Sequence, residues 1–214
     1  MQFYKPPDYL PLGVQDDHYR RMADISFRHL SGAWENYKNK TNHIWIRDVK
    51  NDDPRYGNYE YLNSLTKLGI YESEEYTQAM AATLFTHVWI LSAANYYRLS
   101  CKLKFPRNMP WLDKKVITNV GSPQQIAIEL GLPAHVIEYQ KNLHGMRNTL
   151  MHLVEGDPKT SAIHTLDFKS AYFYAKSTWV VFCALLRHYG MRPDRGSWRI
   201  QTKRYLLPEN FKSI

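Results

Sequence analysis

The spacing of apolar side chains predicts a chain built mainly from long helices. Over residues 16–40 apolar residues recur near the helical period, and Asp16 and Asp17 are residue types that cap a helix. A second long helix is predicted over about 72–104, ending just before two prolines. These two helices would supply most of the apolar surface of the N-terminal half.

The C-terminal half carries clearer signals for helix starts and ends. Ser122 followed by Pro123 is a capping pattern, and the helix that it opens should end at Gly131. The next helix is predicted over about 133–154, and a last long one over about 167–189. The short connection at Gly131 makes these helices neighbours in space.

Two segments show no helical period. Residues 1–15 hold three prolines and predict an extended arm, whereas residues 41–72 predict an irregular segment in which 44–46 suits a short strand. The expected fold is therefore an all-α helical bundle with an N-terminal, partly irregular extension. It divides into an N-terminal helix and extension (1–70), a helical bundle (71–190) and a basic C-terminal tail (191–214).

One stretch superficially suits a membrane span, because residues 76–95 contain no Asp, Glu, Lys or Arg. The stretch also contains threonines and His87, and its longest unbroken apolar run covers only residues 88–91. It predicts a central helix buried on most sides, and no membrane partner.

Composition and charge point to a globular protein with a polyanionic partner. The chain has 214 residues, of which 44% are hydrophobic and 22% charged, with a net charge of +8. Residues 187–214 contribute +5 of that charge, which favours nucleic acid over a membrane surface. The tail residues predicted to contribute RNA affinity are Arg187, Arg192, Arg195, Arg199, Lys203 and Arg204. The alternative is an ordered cap that packs through Trp198, Tyr205 and Leu206.

The cysteines predict neither a disulfide framework nor a metal site. Cys101 and Cys183 both lie in apolar helical patterns without Cys or His at metal-ligand spacing. They are expected to be buried thiols in a reducing compartment. The first 13 residues lack the pattern of a signal peptide, so a cytoplasmic location is predicted, without cofactor or metal.

The sharpest local pattern lies late in the 133–154 helix. Asn148 and His152 are four residues apart and share a face, with His144 on the same stripe one turn earlier. Arg147 lies beside them, and Gly145 would allow close backbone approach. A cation, an amide and a titratable imidazole thus converge within two turns.

At these residues the chain resembles the HEPN domains (higher eukaryotes and prokaryotes nucleotide-binding). Their mark is an Arg, usually followed by a polar residue, and then a His after four to six intervening residues on a late helix of an α-helical bundle. Arg147, Asn148 and His152 match that mark with four intervening residues. The predicted helices over 72–104, 122–154 and 167–189 resemble the rest of the bundle.

The resemblance implies metal-independent RNA cleavage, usually by a homodimer whose two motifs meet at the interface. Many such domains serve toxin–antitoxin or antiviral systems, so an antitoxin or other regulatory protein is an implied partner. The residue types suit the chemistry. His152 can serve as base or acid, Arg147 can bind the phosphate with a planar fork, and Asn148 can position the ribose.

Three alternatives stay open. The segment 122–143 also resembles a helix-turn-helix, with Ala127 at the helix crossing and Ile137 as apolar anchor, which would indicate DNA binding. The chain could instead be a non-catalytic HEPN module for binding or dimerisation. In the purely structural interpretation Arg147 pairs with a carboxylate and His152 is a core histidine. A shared metal ion is disfavoured, because residues 144 and 152 are about 12 Å apart along a helix.

Overall fold

The computed structural model describes residues 12–104, 114–151, 166–191, 198–209 and 211. In that part of the chain every regular element is helical, which confirms the predicted all-α class. The α-helices are α1 (Leu12–Thr41), α2 (Tyr59–Leu103), α3 (Pro123–Glu129), α4 (Ala134–Met151), α5 (Phe168–His188) and α6 (Trp198–Arg204), with a short 3-10 helix at Ile44–Asp48.

The irregular segment predicted over 41–72 is shorter than expected: residues 49–58 are turns and coil, but residues 59–72 belong to α2. Residues 44–46 lie in the 3-10 helix and not in a strand, and α2 starts at Tyr59, well before residue 72. Asn58 caps α2, its Oδ1 accepting from the Tyr61 amide at 2.7 Å. Most of the side chains over 59–70 are exposed, so this part of the helix needs no apolar stripe that a pattern could reveal.

Helix α1 begins at Leu12, before the predicted caps Asp16 and Asp17, and it lines the same core as α2 and α5. Its residues Phe27 and Leu30 are fully buried. The predicted division at residue 70 falls within α2. In the described structure, the N-terminal helix is therefore part of the bundle and not an extension beside it.

Helix α2 occupies the centre of the molecule and contacts α1, α3, α4 and α5. Over 79–101 nearly every turn presents buried side chains on more than one face, as the charge-free stretch predicted. Among the described residues, no helix combines the length and the apolar character needed to cross a membrane.

A buried ion pair joins three helices near one end of the bundle. Glu75 on α2 is 2% exposed, forms a salt bridge with Lys40 on α1, and accepts from the Phe168 amide at 3.0 Å. That amide belongs to the first turn of α5, where a carboxylate also interacts favourably with the helix dipole. The same turn is capped by Asp167, whose Oδ1 accepts from the Ser170 amide.

The described part of the C-terminal tail is an ordered cap on the bundle. Tyr205 stacks on Phe27 with ring centroids 5.0 Å apart, and Trp198 donates to the Tyr172 hydroxyl at 2.9 Å. Leu206, expected to pack, is instead exposed, while the next residue is buried. The tail thus belongs to the aromatic core, although its charged side chains face outward.

Candidate functional site

Helix α4 brings Arg147 and Asn148 together with His144, one turn earlier. The helix begins three residues after Gly131, whose φ of 66° turns the chain after α3. The buried residues Val136, Gln140 and Leu143 fix the face of α4 that packs on the bundle. This leaves His144, Arg147 and Asn148 half-buried at its margin.

A continuous chain of hydrogen bonds links these side chains to α2. Arg147 donates to Asn148 Oδ1 at 2.8 Å, and Asn148 Nδ2 lies 3.2 Å from His144 Nε2. On the far side of the ring, His144 Nδ1 lies 3.0 Å from His87 Nε2. The two imidazoles also stack, with centroids 5.2 Å apart and an interplanar angle of 26°.

The guanidinium determines the direction of every bond in this chain. A guanidinium only donates, so the amide oxygen of Asn148 must face Arg147 and its NH₂ must face His144. His144 Nε2 is then an acceptor, its proton sits on Nδ1, and that N–H donates to His87 Nε2. The arrangement therefore fixes one neutral tautomer for both rings.

The pKa values of both histidines are lowered, in agreement with that tautomer. Burial is the main cause for His87, followed by the electrostatic effect of His144 and of the Arg147 guanidinium, and its pKa falls to about 3. Burial also lowers the pKa of His144, and the Arg147 guanidinium lowers it further. Both rings are neutral at neutral pH, and His144 is a half-exposed imidazole able to accept a proton.

His87 is the member of this cluster that sequence reasoning did not select. In the sequence it is one of several polar residues in the charge-free stretch over 76–95. The available signal was that it is the single titratable imidazole in that stretch, on a helix expected to be buried. Its partner lies 57 residues away, a distance across which no helical periodicity operates.

Gly145 does not have the role expected of it within the chain. It is exposed, and a Cβ placed there would meet nothing within 4 Å. No packing inside the described structure requires a glycine here. The space beside Gly145 is therefore open in the described structure.

The predicted site is only partly within the described structure. Arg147 and Asn148 are in contact as expected, but His152 lies outside the described residues, one position beyond the end of α4. The half-buried imidazole that the structure places beside Asn148 is His144. Arg147 donates to the side-chain amide oxygen of Asn148, a partner that the structural interpretation did not include.

The basic residues of the tail are exposed where they are described. Arg187 lies at the end of α5, while Arg199, Lys203 and Arg204 lie on α6. Arg199 forms an ion pair with Glu209 at 3.3 Å. Arg192 and Arg195 fall outside the described residues.

The described surface offers little support for DNA binding by a helix-turn-helix or for a metal site. The exposed face of α4 presents His135, Glu138 and Lys141, and the last two are paired with each other at 3.6 Å, so a would-be recognition helix has almost no net charge. Across the described ranges, no three His, Cys, Asp or Glu side chains are grouped as a metal site requires.

The chain matches no known protein-family model, no curated protein and no solved structure.

Proposed function

We propose that this chain is a metal-independent endoribonuclease in which Arg147, Asn148 and His144 act together with His152. The observation that carries the proposal is the directed hydrogen-bond chain from Arg147 through Asn148 to a neutral, half-exposed His144. It supplies a phosphate-binding cation and a base side by side. The HEPN resemblance of the Arg147–His152 motif supports the same function.

The reaction is an attack of a ribose 2′-OH on its adjacent phosphorus. The 2′-oxygen forms the new P–O bond, its proton passes to His144 Nε2, and the bond to the 5′-oxygen breaks. The 5′-oxygen takes a proton from a protonated histidine. The products are a 2′,3′-cyclic phosphate and a free 5′-OH, and Arg147 balances the charge that develops on the phosphoryl oxygens.

Binding of RNA would also release the base. In the free protein Asn148 Nδ2 donates a hydrogen bond to the lone pair of His144 Nε2, and a hydrogen bond from Arg147 holds that amide in place. When the guanidinium turns to a phosphate, the amide is free to rotate towards the ribose. His87 still accepts from His144 Nδ1 and keeps the reactive lone pair on Nε2.

A homodimer is part of the proposal, because the HEPN resemblance implies two motifs that meet at a dimer interface and share the roles of base and acid. Two copies of the α4 motif across a two-fold axis can divide the two roles. The HEPN resemblance further suggests a toxin or antiviral defence effector, held inactive by an antitoxin or another regulatory protein.

The test is RNA cleavage in excess chelator. Single-stranded and structured RNAs are incubated with purified protein, and the ends are analysed for 2′,3′-cyclic phosphate. We expect cleavage to persist in chelator, and to be lost in Arg147→Ala, His144→Gln and His152→Gln. The matched control is His135→Gln, an exposed histidine on the same helix.

Cleavage that stops with chelator and returns with magnesium would overturn the proposal. So would full activity in Arg147→Ala. If the variants lose activity only because they unfold at lower temperature than the control, Arg147 and His144 are structural and the assignment fails.

A further inference from the structure

A second candidate binding site lies between α1, α2, α5 and α6. It is an open cleft of about 750 Å³, which is in the size range of small-ligand pockets and far larger than an inorganic anion needs. It is lined by one wall of aromatic rings and by a rim of arginines. Neither feature takes part in the proposed cleavage chemistry, although Arg204 on the rim is also one of the tail residues predicted to contribute RNA affinity.

The aromatic wall is continuous and partly accessible. Trp179 and Phe182 on α5 are half-buried, with ring centroids 5.8 Å apart. Beneath them, the ring centroid of Phe27 lies 6.1 Å from that of Trp179, and Phe27 stacks on Tyr205. The ring centroids of Trp89 and Phe182 are 5.3 Å apart. The planes of Trp179 and Phe182 are tilted by 51°, so a planar ligand would lie on the face of one ring and against the edge of the other.

The rim is strongly positive. Four arginines line the cleft, and Asp24 is the only carboxylate among its lining residues in the described structure. Arg28 donates to Asp24 at 2.7 Å, and the Tyr205 hydroxyl donates to the same carboxylate at 2.6 Å. Arg204 lies close enough to contribute to the low pKa of Asp24, after the Tyr205 hydrogen bond and Arg28.

The arginines of the rim are available to a ligand. Arg21 and Arg28 are 72% and 73% exposed, and each pairs with an aspartate one turn earlier on α1. Exposed ion pairs of this kind contribute only about 0–1 kcal/mol. A phosphate that binds two guanidiniums at once can therefore replace the aspartates as their partners at a small cost in free energy.

The cleft lies away from the histidine cluster. Trp89 follows His87 by two residues, so their side chains leave α2 about 200° apart. The cleft uses the face of α2 towards α1 and α5, whereas His87 faces α4. A ligand in the cleft would not touch Arg147 or Asn148.

We propose that this cleft binds a mononucleotide, with its base against Trp179 and Phe182 and its phosphate between Arg28 and Arg204. The aromatic wall accounts for the planar base, and the excess positive charge of the rim accounts for the phosphate. The site is independent of the RNA cleavage proposed above.

The experiment titrates the full-length protein with AMP, adenosine and inorganic phosphate, followed by calorimetry and by tryptophan fluorescence. Trp89 and Trp179 line the cleft, so occupancy should change the emission. We expect AMP to bind at least about tenfold more tightly than either fragment, because only AMP engages the wall and the rim together.

Two variants separate the parts of the site. Arg28→Gln/Arg204→Gln should weaken AMP binding about tenfold or more and leave adenosine unaffected, whereas Trp179→Leu should weaken adenosine as well. The control Lys50→Gln/Lys67→Gln removes the same charge from exposed positions outside the cleft and should change neither.

The proposal is overturned if AMP shows no saturable binding. It is also overturned if phosphate alone binds as tightly as AMP, which would reduce the cleft to a charged surface. An equal loss of AMP affinity in the control variant would have the same meaning. RNA cleavage plays no part in these readouts, so each proposal can fail without the other.

Discussion

His87 Nε2 and His144 Nδ1 lie 3.0 Å apart, and the single proton between them belongs to His144. The bond joins a buried imidazole of α2, which is 3% exposed, to the half-exposed ring of α4. Because His87 can only accept in this pairing, a change in the charge of either ring disturbs both helices.

The first prediction concerns the stability of the protein against pH. The pKa of His87 is about 3 in the folded protein and about 6.5 when unfolded, so below pH 6.5 the unfolded chain binds one more proton. Above pH 6.5 this group does not lower the free energy of unfolding. Below pH 6.5 it lowers the free energy of unfolding by about 1.4 kcal/mol per pH unit, as the pH drops towards 3. Denaturant unfolding at several pH values measures the slope.

The variant His87→Gln should remove this contribution to the slope and leave that of the carboxylates. His135→Gln, exposed on α4, is the control and should keep the wild-type slope. If the plots of unfolding free energy against pH were parallel for wild type and His87→Gln, His87 would bind protons equally in the folded and unfolded protein. That result would contradict the prediction.

The second prediction concerns the amide between Arg147 and His144. Asn148→Asp keeps an acceptor for Arg147 and places a carboxylate at His144 Nε2, so the pKa of His144 should rise by about 1–3 units. Histidine titration by NMR measures the shift directly. In the cleavage assay the acidic limb should move to higher pH, since the base is then protonated over a wider range.

Asn142→Asp is the matched control for this substitution, because Asn142 is exposed on the same helix. It adds an equal charge without a hydrogen bond to His144, and solvent should screen most of its effect. Equal shifts in the two variants would contradict the bonded arrangement.

The third prediction concerns the buried ion pair. Lys40→Met should destabilise the fold by about 3 kcal/mol, because it leaves the carboxylate of Glu75 buried without its cation. Lys38→Met, which removes an exposed pair with Glu35, should cost less than about 1 kcal/mol. Urea unfolding measures both.

The double variant Lys40→Met/Glu75→Gln should recover much of the loss, since a neutral amide can still accept from the Phe168 N–H. A double variant no more stable than Lys40→Met alone would indicate that Lys40 acts through packing and not through its charge.

The fourth prediction concerns the basic tail. If α6 contributes RNA affinity, Arg199→Gln/Lys203→Gln should weaken binding for all RNA sequences. The slope of the logarithm of the binding constant against the logarithm of the salt concentration should decrease in magnitude by about 0.7 per lost phosphate contact. Turnover at saturating RNA should hardly change, because uniform binding does not lower the chemical barrier. Lys50→Gln/Lys67→Gln is the control. An unchanged slope would contradict a contribution of α6 to RNA affinity.

The helices that could be predicted are those whose buried faces show in the sequence. The cap at Ser122, the turn at Gly131 and the helix over 167–189 all depend on neighbouring residues, and they are confirmed within one or two positions. The start of α2 was missed because its first turns are exposed and carry no apolar stripe.

The pairing of side chains across the bundle could not be predicted. The position of Arg147 next to Asn148 follows from one helix, but the approach of His87 depends on how α2 and α4 pack. The same holds for Lys40 and Glu75, and for Tyr205 and Asp24, which is 181 residues away in sequence. Periodicity describes one element at a time and is silent on such partners.

Helix α2 is long enough to contain two parts that differ in their stability against local opening. Over residues 79–101 the helix has buried side chains on several sides, but over residues 59–70 Leu68 alone is buried. Opening of the first turns therefore costs little more than the hydrogen bonds themselves, whereas opening of the centre requires the whole bundle to unfold. Amide protons of one continuous helix should accordingly exchange on timescales that differ by orders of magnitude between its first turns and its centre.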